Sequence, residues 1–252
     1  MGRLIMSRHI VIGDVHGCLL ELKALLDELR YRPDGDRLYF LGDLVDRGPY
    51  SVETVRYVRA LTERSDTVCL MGNHEEKYVR FHRWEQKRAA TNARNPMHFN
   101  EEKEAIYADL SQSDHEWLAK RPYYHRGKDF LVVHAGVCPR RHQTIKDLDV
   151  PKYRNRLLRL RDVDAGGRMV PLNESRRPGQ GHWSESYDGR LGFVVYGHQV
   201  YDSVRDHCDT AGIDTGCCFG GELTALVFSN IADRTYHSVH AQATYASYTE
   251  DD

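Results

Sequence analysis

Five short motifs each follow an apolar run, and each contains a side chain that can bind a metal ion. The motifs are GDVHG (13–17), GDLVDRG (42–48), GNHE (72–75), HAG (134–136) and YGH (196–198). Their candidate ligands are Asp14, His16, Asp43, Asn73, His134 and His198. This mixture of oxygen and nitrogen donors suits borderline divalent ions such as manganese, iron, cobalt or zinc, and contains too much nitrogen for magnesium or calcium.

The spacing of these donors favours two metal ions rather than one. Asp14 and His16 are two residues apart after an apolar run, so both side chains can converge on one cation. Asp43 supplies a carboxylate, which can bridge two cations. Two divalent ions held about 3.5–4 Å apart stabilise an in-line displacement at phosphorus. Together the motifs predict one dinuclear site and one phosphoryl-transfer reaction.

The apolar runs before the motifs are short and mostly end in glycine, which is typical of buried strands. We predict strands at 9–12, 38–41, 68–71, 130–133 and 193–196. Apolar residues recur at helical spacing over 19–29 and 52–61, between the first three strands. This alternation predicts an α/β fold with a largely parallel sheet, in which ligands lie beyond the carboxyl ends of the strands.

The remaining segments complete a single predicted domain over 1–252. Residues 75–122 are predicted to form a helical insert beside the site, in which Ser113 and Glu116 form a capping box. Residues 139–190 are too irregular and too long for a simple connection, so we expect a functional cap or loop. The segments 223–228 and 235–239 are predicted to be closing strands of a second sheet.

Bulk properties exclude several classes of protein. The 252 residues are 40% hydrophobic and carry a formal charge of −2, so global charge does not favour nucleic acid or membrane partners. No apolar run approaches the roughly 20 residues of a membrane span, and the first residues lack a signal-peptide core. The six cysteines form no CxxC pair, which favours reduced, buried thiols. We therefore expect a cytoplasmic protein.

The motifs resemble those of the metallophosphoesterase superfamily, and within it the phosphoprotein phosphatase family. They occur in the family's order and with its usual spacing, and the resemblance covers residues 12 to about 228. The chain is most similar to the small bacterial and phage branch, which includes phage lambda protein phosphatase and the bacterial diadenosine tetraphosphatases. The stretch IDTGCCFGGELTAL (213–226) resembles the C-terminal region of the tetraphosphatases.

The resemblance implies a calcineurin-like metallophosphoesterase fold, a double β-sheet sandwich flanked by helices. It implies that Asp14, His16 and Asp43 bind the first metal ion. It also implies that Asp43, Asn73, His134 and His198 bind the second. Manganese is the expected metal, with iron, zinc, cobalt and nickel as alternatives.

The resemblance also assigns roles around the metals. His74 matches the family's general acid, which protonates the leaving group, and Asp46 matches the residue that orients this histidine. Arg47 matches an arginine that binds phosphoryl oxygens. A second such arginine comes from a later segment of the chain, where Arg161 is our first choice and Arg159 the alternative.

The expected reaction is hydrolysis of phosphomonoesters, such as phosphoserine and phosphothreonine in proteins, by direct attack of a metal-bridging hydroxide. The alternative is hydrolysis of diadenosine polyphosphates or other nucleotides at the same site. Asp46 and Glu75 favour the phosphatase, because symmetrical tetraphosphatases usually carry ARG and GNHD there. The 213–226 stretch favours the alternative. A non-catalytic sensor is disfavoured, because both His74 and Arg47 are present.

A few residues have two interpretations. Asp214 either orients a metal-bound histidine or caps the turn at residues 215–216. Trp183 and Tyr187 are predicted to pack under the cap rather than line the substrate cleft. The basic run over 152–161 is predicted to be a solvated helix face with one functional arginine, because it lacks the interleaved aromatic residues that bind single-stranded nucleic acid.

Overall fold

Two mixed β-sheets packed face to face, with helices on their outer sides, form the framework of the computed structural model. The structure describes residues 7–171 and 177–248. The N-terminal residues to which the signal-peptide prediction applies, and part of the predicted cap, lie outside these ranges. None of the described helices is both long enough and apolar enough to cross a membrane.

The described strands and helices confirm the predicted α/β class. The strands are β1 (Arg8–Ile12), β2 (Asp36–Phe40), β3 (Thr67–Cys69), β4 (Tyr124–Arg126), β5 (Phe130–Val133), β6 (Asp162–Val163), β7 (Gly181–His182), β8 (Phe193–Tyr196), β9 (Arg205–His207), β10 (Thr210–Gly212), β11 (Asp214–Thr215), β12 (Glu222–Phe228) and β13 (Thr235–His240). The α-helices are α1 (Leu19–Glu28), α2 (Ser51–Arg64), α3 (Asn73–Thr91), α4 (Glu101–Asp109), α5 (Gln112–Ala119), α6 (Ile145–Leu148) and α7 (Arg154–Arg159). Short 3-10 helices cover Pro151–Tyr153, Trp183–Ser186, Cys217–Phe219 and Ile231–Asp233.

The first sheet contains the three parallel strands that precede the first three motifs. Its order is β11-β12-β1-β2-β3, and β13 pairs with β12. Strands β1, β2 and β3 are parallel, whereas β12 is antiparallel to β1. The prediction that 223–228 and 235–239 close the second sheet is wrong. Strand β12 pairs with β1 and β13 pairs with β12, so both strands belong to the first sheet.

The second sheet carries the last two motifs. Its order is β4-β5-β8-β10-β9, with β5, β8 and β10 parallel and an antiparallel strand at each edge. The antiparallel edge strands are short, which limits the exposed row of unpaired backbone groups. In both sheets, the loops that carry the motifs therefore begin at the carboxyl ends of parallel strands.

Side chains alternate between the two faces of each strand, so both sheets pack on both faces and the fold has four layers. In β1, Ile10 and Ile12 face helices α1 and α2, whereas Val11 faces the second sheet. In β5, Val132 joins Val11 in the core between the sheets, and Val133 packs on the opposite face. Successive strand residues point to opposite faces, so strands that are apolar at every position are buried on both sides.

The described parts of the segment 139–190, residues 139–171 and 177–190, pack on the outer face of the second sheet. Trp183 is completely buried there and contacts Tyr187 and Tyr196 through edge-to-face ring contacts. The Trp183 indole N–H donates a hydrogen bond to the carbonyl of Ala135, at 3.1 Å. Trp183 and Tyr187 are therefore packing residues, as predicted.

Two local predictions are wrong. Helix α5 is capped by Ser111 and Asp114 rather than by Ser113 and Glu116, because the Asp114 carboxylate accepts bonds from both the N–H and the hydroxyl of Ser111. The expectation of buried thiols fails at Cys208, which is exposed. The other five cysteines are buried, and all six are free.

Candidate dinuclear metal centre

The six predicted metal ligands meet at the carboxyl ends of five parallel strands. Strands β1 and β2 lead into Asp14, His16 and Asp43, and β3 leads into Asn73. Strand β5 is followed at once by His134, and β8 leads into His198. Residues that are up to 184 positions apart, such as Asp14 and His198, are thereby brought into contact.

The Asp43 carboxylate lies at the centre of this group. Its Oδ2 atom is 3.5 Å from His16 Nε2 and 3.6 Å from His134 Nε2. The ligand atoms of His16, Asp43 and His74 form one set within 4.8 Å of one another, and those of Asp43, His134 and His198 form another. Because Asp43 belongs to both sets, its carboxylate is placed to bridge two cations.

Hydrogen bonds on the far side of two imidazoles direct their free nitrogen atoms into the centre. His16 Nδ1 lies 2.8 Å from the carbonyl of Val45, and His134 Nδ1 lies 3.0 Å from that of Leu41. A carbonyl only accepts, so Nδ1 carries the proton and Nε2 keeps its lone pair. Burial, helped by Arg47 and His74, lowers the pKa of His16 to about 3, so this ring is neutral at pH 7.

Several buried polar atoms in the centre fit a metal ion better than any protein partner. Asp14 Oδ1 and His198 Nε2 are buried and have no hydrogen-bond partner among the described residues. His134 Nε2 lies 2.8 Å from Asn73 Oδ1 although both atoms present lone pairs. Burial, reinforced by Asp214 and Asp43, raises the pKa of Asp14. Cations at this position would resolve all of these conflicts.

The loops that hold the ligands contain strained backbone. His16, Asp43, Asp46, Arg47 and His198 all have left-handed φ angles between 45° and 72°, although none is glycine. Such conformations cost of order 1–3 kcal/mol each and persist only where surrounding contacts enforce them. Five of the eight such residues in the described ranges belong to the predicted site, so the strain is concentrated where the side chains converge.

Two motif glycines are required by close approach. A Cβ atom at Gly72 would overlap the carboxylate of Asp43, and one at Gly197 would overlap that of Asp14. The glycines of GNHE and YGH therefore leave room for the carboxylates of motifs elsewhere in the chain.

Glu75 fixes the Asp43 loop, a role that its place in the GNHE motif did not reveal. Its buried carboxylate accepts hydrogen bonds from the backbone N–H groups of Asp43 and Leu44, each at 2.7 Å, and of Gly72 at 3.0 Å. Burial and the nearby Asp43 charge raise the pKa of Glu75 to about 8, although these backbone bonds oppose the shift. Glu75 thus joins the loops after β2 and β3.

His74 and Asp46 form a close pair at the edge of the centre. His74 Nδ1 lies 2.5 Å from Asp46 Oδ2, and the Tyr78 hydroxyl donates to Asp46 Oδ1 at 2.6 Å. Burial raises the pKa of Asp46, but the interactions with His74, Lys103 and Tyr78 together outweigh burial and lower it. The Lys103 ammonium lies 3.5 Å from Asp46 Oδ2. Tyr78 and Lys103 had no motif to identify them.

The predicted arginines occupy different surroundings. Arg47 Nη1 donates to His16 Nε2 at 2.8 Å, and its guanidinium lies 5.0 Å from the centre of the Phe219 ring. The charge of Arg161 lowers the pKa of His198, after the larger effects of burial and His134. Arg159 is paired with Glu76 at 2.8 Å. The charge of Arg159 likewise lowers the pKa of His134, after the larger effects of burial and His74, so both arginines act on a candidate ligand and the choice of Arg161 stays a prediction.

Asp214 caps the turn at residues 215–216, one of its two predicted interpretations, and the other, orientation of a metal-bound histidine, stays a prediction. Its Oδ1 atom accepts a hydrogen bond from the N–H of Gly216 at 3.1 Å, so it caps that turn. It is also close enough to Asp14 to raise the pKa of that carboxyl. The side chain is buried and adds to the negative charge of the centre.

Comparisons with known proteins agree with this geometry. A family model described as calcineurin-like phosphoesterase matches residues 7–229. The chain is 35% identical over 240 residues to the asymmetrical bis(5'-nucleosyl)-tetraphosphatase PrpE of Halalkalibacterium halodurans, covering 88% of this chain and 90% of that protein. It is 30% identical over 268 residues to the symmetrical bis(5'-nucleosyl)-tetraphosphatase of Methylococcus capsulatus, covering 88% and 92%.

Solved structures share the fold. The crystal structure of a putative diadenosine tetraphosphatase matches with a TM-score of 0.72 at 22% identity, covering 95% of this chain and 96% of that one. A protein serine/threonine phosphatase from Saccharomyces cerevisiae matches with a TM-score of 0.62 at 15% identity, covering 95% and 81%. At these identities the likenesses support the sheet arrangement alone.

Removal of one histidine should lower the metal content. We expect the purified protein to bind two manganese ions per chain, and His198→Ala to bind fewer, because His198 supplies a buried lone pair. Elemental analysis after dialysis measures the ratio. The exposed His207, on edge strand β9, provides the control variant His207→Ala, which should bind as much manganese as the unaltered protein. Equal metal content in both variants would contradict the assignment of His198.

Proposed function

We propose that this chain, which belongs to the calcineurin-like phosphoesterase family, hydrolyses dinucleoside tetraphosphates such as diadenosine tetraphosphate. It is a metal-dependent phosphoester hydrolase, and its branch of the family resembles the bacterial diadenosine tetraphosphatases.

One observation carries the choice of substrate. Two relatives that cover nearly the whole chain, at 35% and 30% identity, are both named bis(5'-nucleosyl)-tetraphosphatases. This favours the alternative drawn from the sequence over its main interpretation, a phosphoprotein phosphatase. Glu75, whose presence is predicted to favour the phosphatase, is buried and fixes the Asp43 loop.

The relative at 35% identity is of the asymmetrical kind, so we propose the same division of the substrate, into ATP and AMP. Hydrolysis of the symmetrical kind would give two ADP. The products therefore distinguish the two kinds of enzyme.

The six ligands, Asp14, His16, Asp43, Asn73, His134 and His198, are proposed to hold two divalent ions, with manganese first. Such ions polarise phosphoryl oxygens and lower the pKa of water so that it can attack phosphorus. Neutral imidazoles and a charged Asp43 carboxylate suit this purpose, because both present lone pairs without a proton to displace.

Arg47 and Arg161 are proposed to hold the phosphoryl oxygens. Arg47 Nη1 lies 2.8 Å from His16 Nε2, so its guanidinium is beside the candidate metal centre, where it can contact two phosphoryl oxygens at once.

His74 is proposed to donate a proton to the leaving group from Nε2. Its Nδ1 faces the Asp46 carboxylate, which fixes the orientation of the ring. Tyr78 and Lys103 hold Asp46 in turn. The proposed acid, His74, and its partner Asp46 are thus held in position before substrate binds.

The His74–Asp46 pair supports hydrolysis of phosphomonoesters as a second candidate activity. An alkoxide leaving from phosphoserine is a strong base and needs a proton, whereas a polyphosphate leaves more readily. An acid at this position therefore benefits phosphomonoesters most.

A side-by-side assay tests the proposed function. With manganese present, we expect kcat/KM for diadenosine tetraphosphate to exceed that for a phosphoserine peptide by about 10²-fold or more, since only the former resembles the relatives' substrate. Chromatography of the products should give ATP and AMP. A larger kcat/KM for the phosphopeptide would contradict the proposal and support the second candidate.

His74→Asn tests the acid. The variant should lose about 10²-fold or more in kcat for an alkyl phosphate, whose leaving group needs a proton. The loss for p-nitrophenyl phosphate should be much smaller, because nitrophenolate leaves without one. The variant His82→Asn, on the same helix, is the control. Equal losses on both substrates would remove His74 from the acid role.

A further inference from the structure

A cationic hollow opens beside the candidate metal centre. It has a volume of about 470 Å³, and its lining includes Asp46, Arg47, His74, Lys77 and Lys103. Asp46 and His74 belong to the candidate catalytic pair, so the hollow begins at the reacting atoms. Lys77 has no role in the mechanism described above, and Lys103 has only that of contacting Asp46.

The position of Lys77 follows from helix geometry. Helix α3 begins with the candidate ligand Asn73, followed by His74. Lys77 lies four residues after Asn73 and three after His74, so it occupies the same helix face one turn further from the metal centre. Its side chain lines the hollow beside the metal centre.

Lys103 reaches the hollow from a different helix. It lies on α4, a helix that buries no residue completely and packs at the edge of the core. The Lys103 ammonium is 3.5 Å from Asp46 Oδ2, and only part of its side chain is exposed. The Asp46 carboxylate already accepts a bond from Tyr78 and contacts His74, so it is shared among three groups.

The hollow therefore carries more positive charge than its own carboxylates balance. Burial lowers the pKa of Lys77, and the charge of Lys103 lowers it further. The charges of the two ammonium groups repel each other, so an anion bound between them would stabilise both.

A second hollow adjoins the first and has a different character. Arg47, Glu102 and Tyr245 line both. The second, of about 570 Å³, adds the apolar side chains of Val52 and Ile106, and the carboxylates of Glu53 and Asp109. Apolar walls suit the faces of a nucleobase, and carboxylates accept hydrogen bonds from ribose hydroxyls and amino groups.

We propose that Lys77 and Lys103 bind the phosphoryl groups of a polyphosphate chain beyond the one being cleaved, and that the adjoining hollow receives the nucleoside. The proposal rests on the proposed function and specifies how that site selects its substrate. A phosphomonoester has a single phosphoryl group, which the metal centre occupies, so it gains nothing from the lysines. The two hollows thus select nucleoside polyphosphates over simple phosphoesters.

Lys77→Gln is the most direct test, because Lys103 also contacts Asp46 and its replacement would disturb His74. A charged hydrogen bond contributes about 1.5–3 kcal/mol, so kcat/KM for diadenosine tetraphosphate should fall about 10- to 100-fold. The fall for p-nitrophenyl phosphate should be at least about 10-fold smaller. The control is Lys87→Gln, on the same helix, whose amine lies over the Trp84 ring away from the hollow.

Inhibition supplies a readout that does not depend on the nucleotide activity. Inorganic tripolyphosphate should inhibit p-nitrophenyl phosphate hydrolysis less strongly in Lys77→Gln than in the unaltered enzyme, whereas inhibition by orthophosphate should change little. Ala105→Glu, at an exposed position lining the second hollow, should weaken diadenosine tetraphosphate turnover but not tripolyphosphate inhibition.

Equal losses on both substrates in Lys77→Gln, or unchanged tripolyphosphate inhibition, would overturn the lysine assignment. Unchanged turnover in Ala105→Glu would overturn the nucleoside site. If the unaltered enzyme fails to cleave diadenosine tetraphosphate, the proposed function fails, while weakened tripolyphosphate inhibition in Lys77→Gln would still support the polyphosphate site.

Discussion

The Asp43 carboxylate is the group on which the rest of the structure depends. It is buried, belongs to both sets of candidate ligands and lies about equally far from His16 and His134. A buried charge is tolerated only when it is paired or coordinates a metal ion. Two residues of the GNHE motif accommodate this carboxylate, because Glu75 binds the backbone of its loop and Gly72 leaves space for its oxygen.

The two sheets contribute unequal parts of the centre. The first sheet supplies both carboxylates, His16 and Asn73 through three parallel strands, and the second supplies His134 and His198 through β5 and β8. The inter-sheet core, which includes Val11 and Val132, therefore sets the distance between carboxylates and imidazoles. Strained left-handed residues in the loops make the final adjustment, since regular strand ends would not direct all six side chains to one point.

Much of this arrangement could be predicted because each motif combines an apolar strand with a polar terminus. Strands β5 and β8 have the predicted bounds, since an unbroken apolar run between polar residues leaves little choice. The strands β12 and β13 were given to the wrong sheet because their pattern predicts burial but not the partner strand. The cap of α5 was displaced by two residues, because Ser111 and Ser113 are each followed three residues later by an acid. Glu75, Tyr78 and the lysines act through tertiary contacts that no local spacing encodes.

The central claim is that six distant side chains hold two divalent ions on either side of Asp43. Anomalous diffraction from crystals grown with manganese, recorded above and below the manganese edge, measures this directly. The account predicts two peaks about 3.5–4 Å apart, both within bonding distance of the Asp43 carboxylate. A single peak, or peaks bound by side chains other than these six, would contradict it.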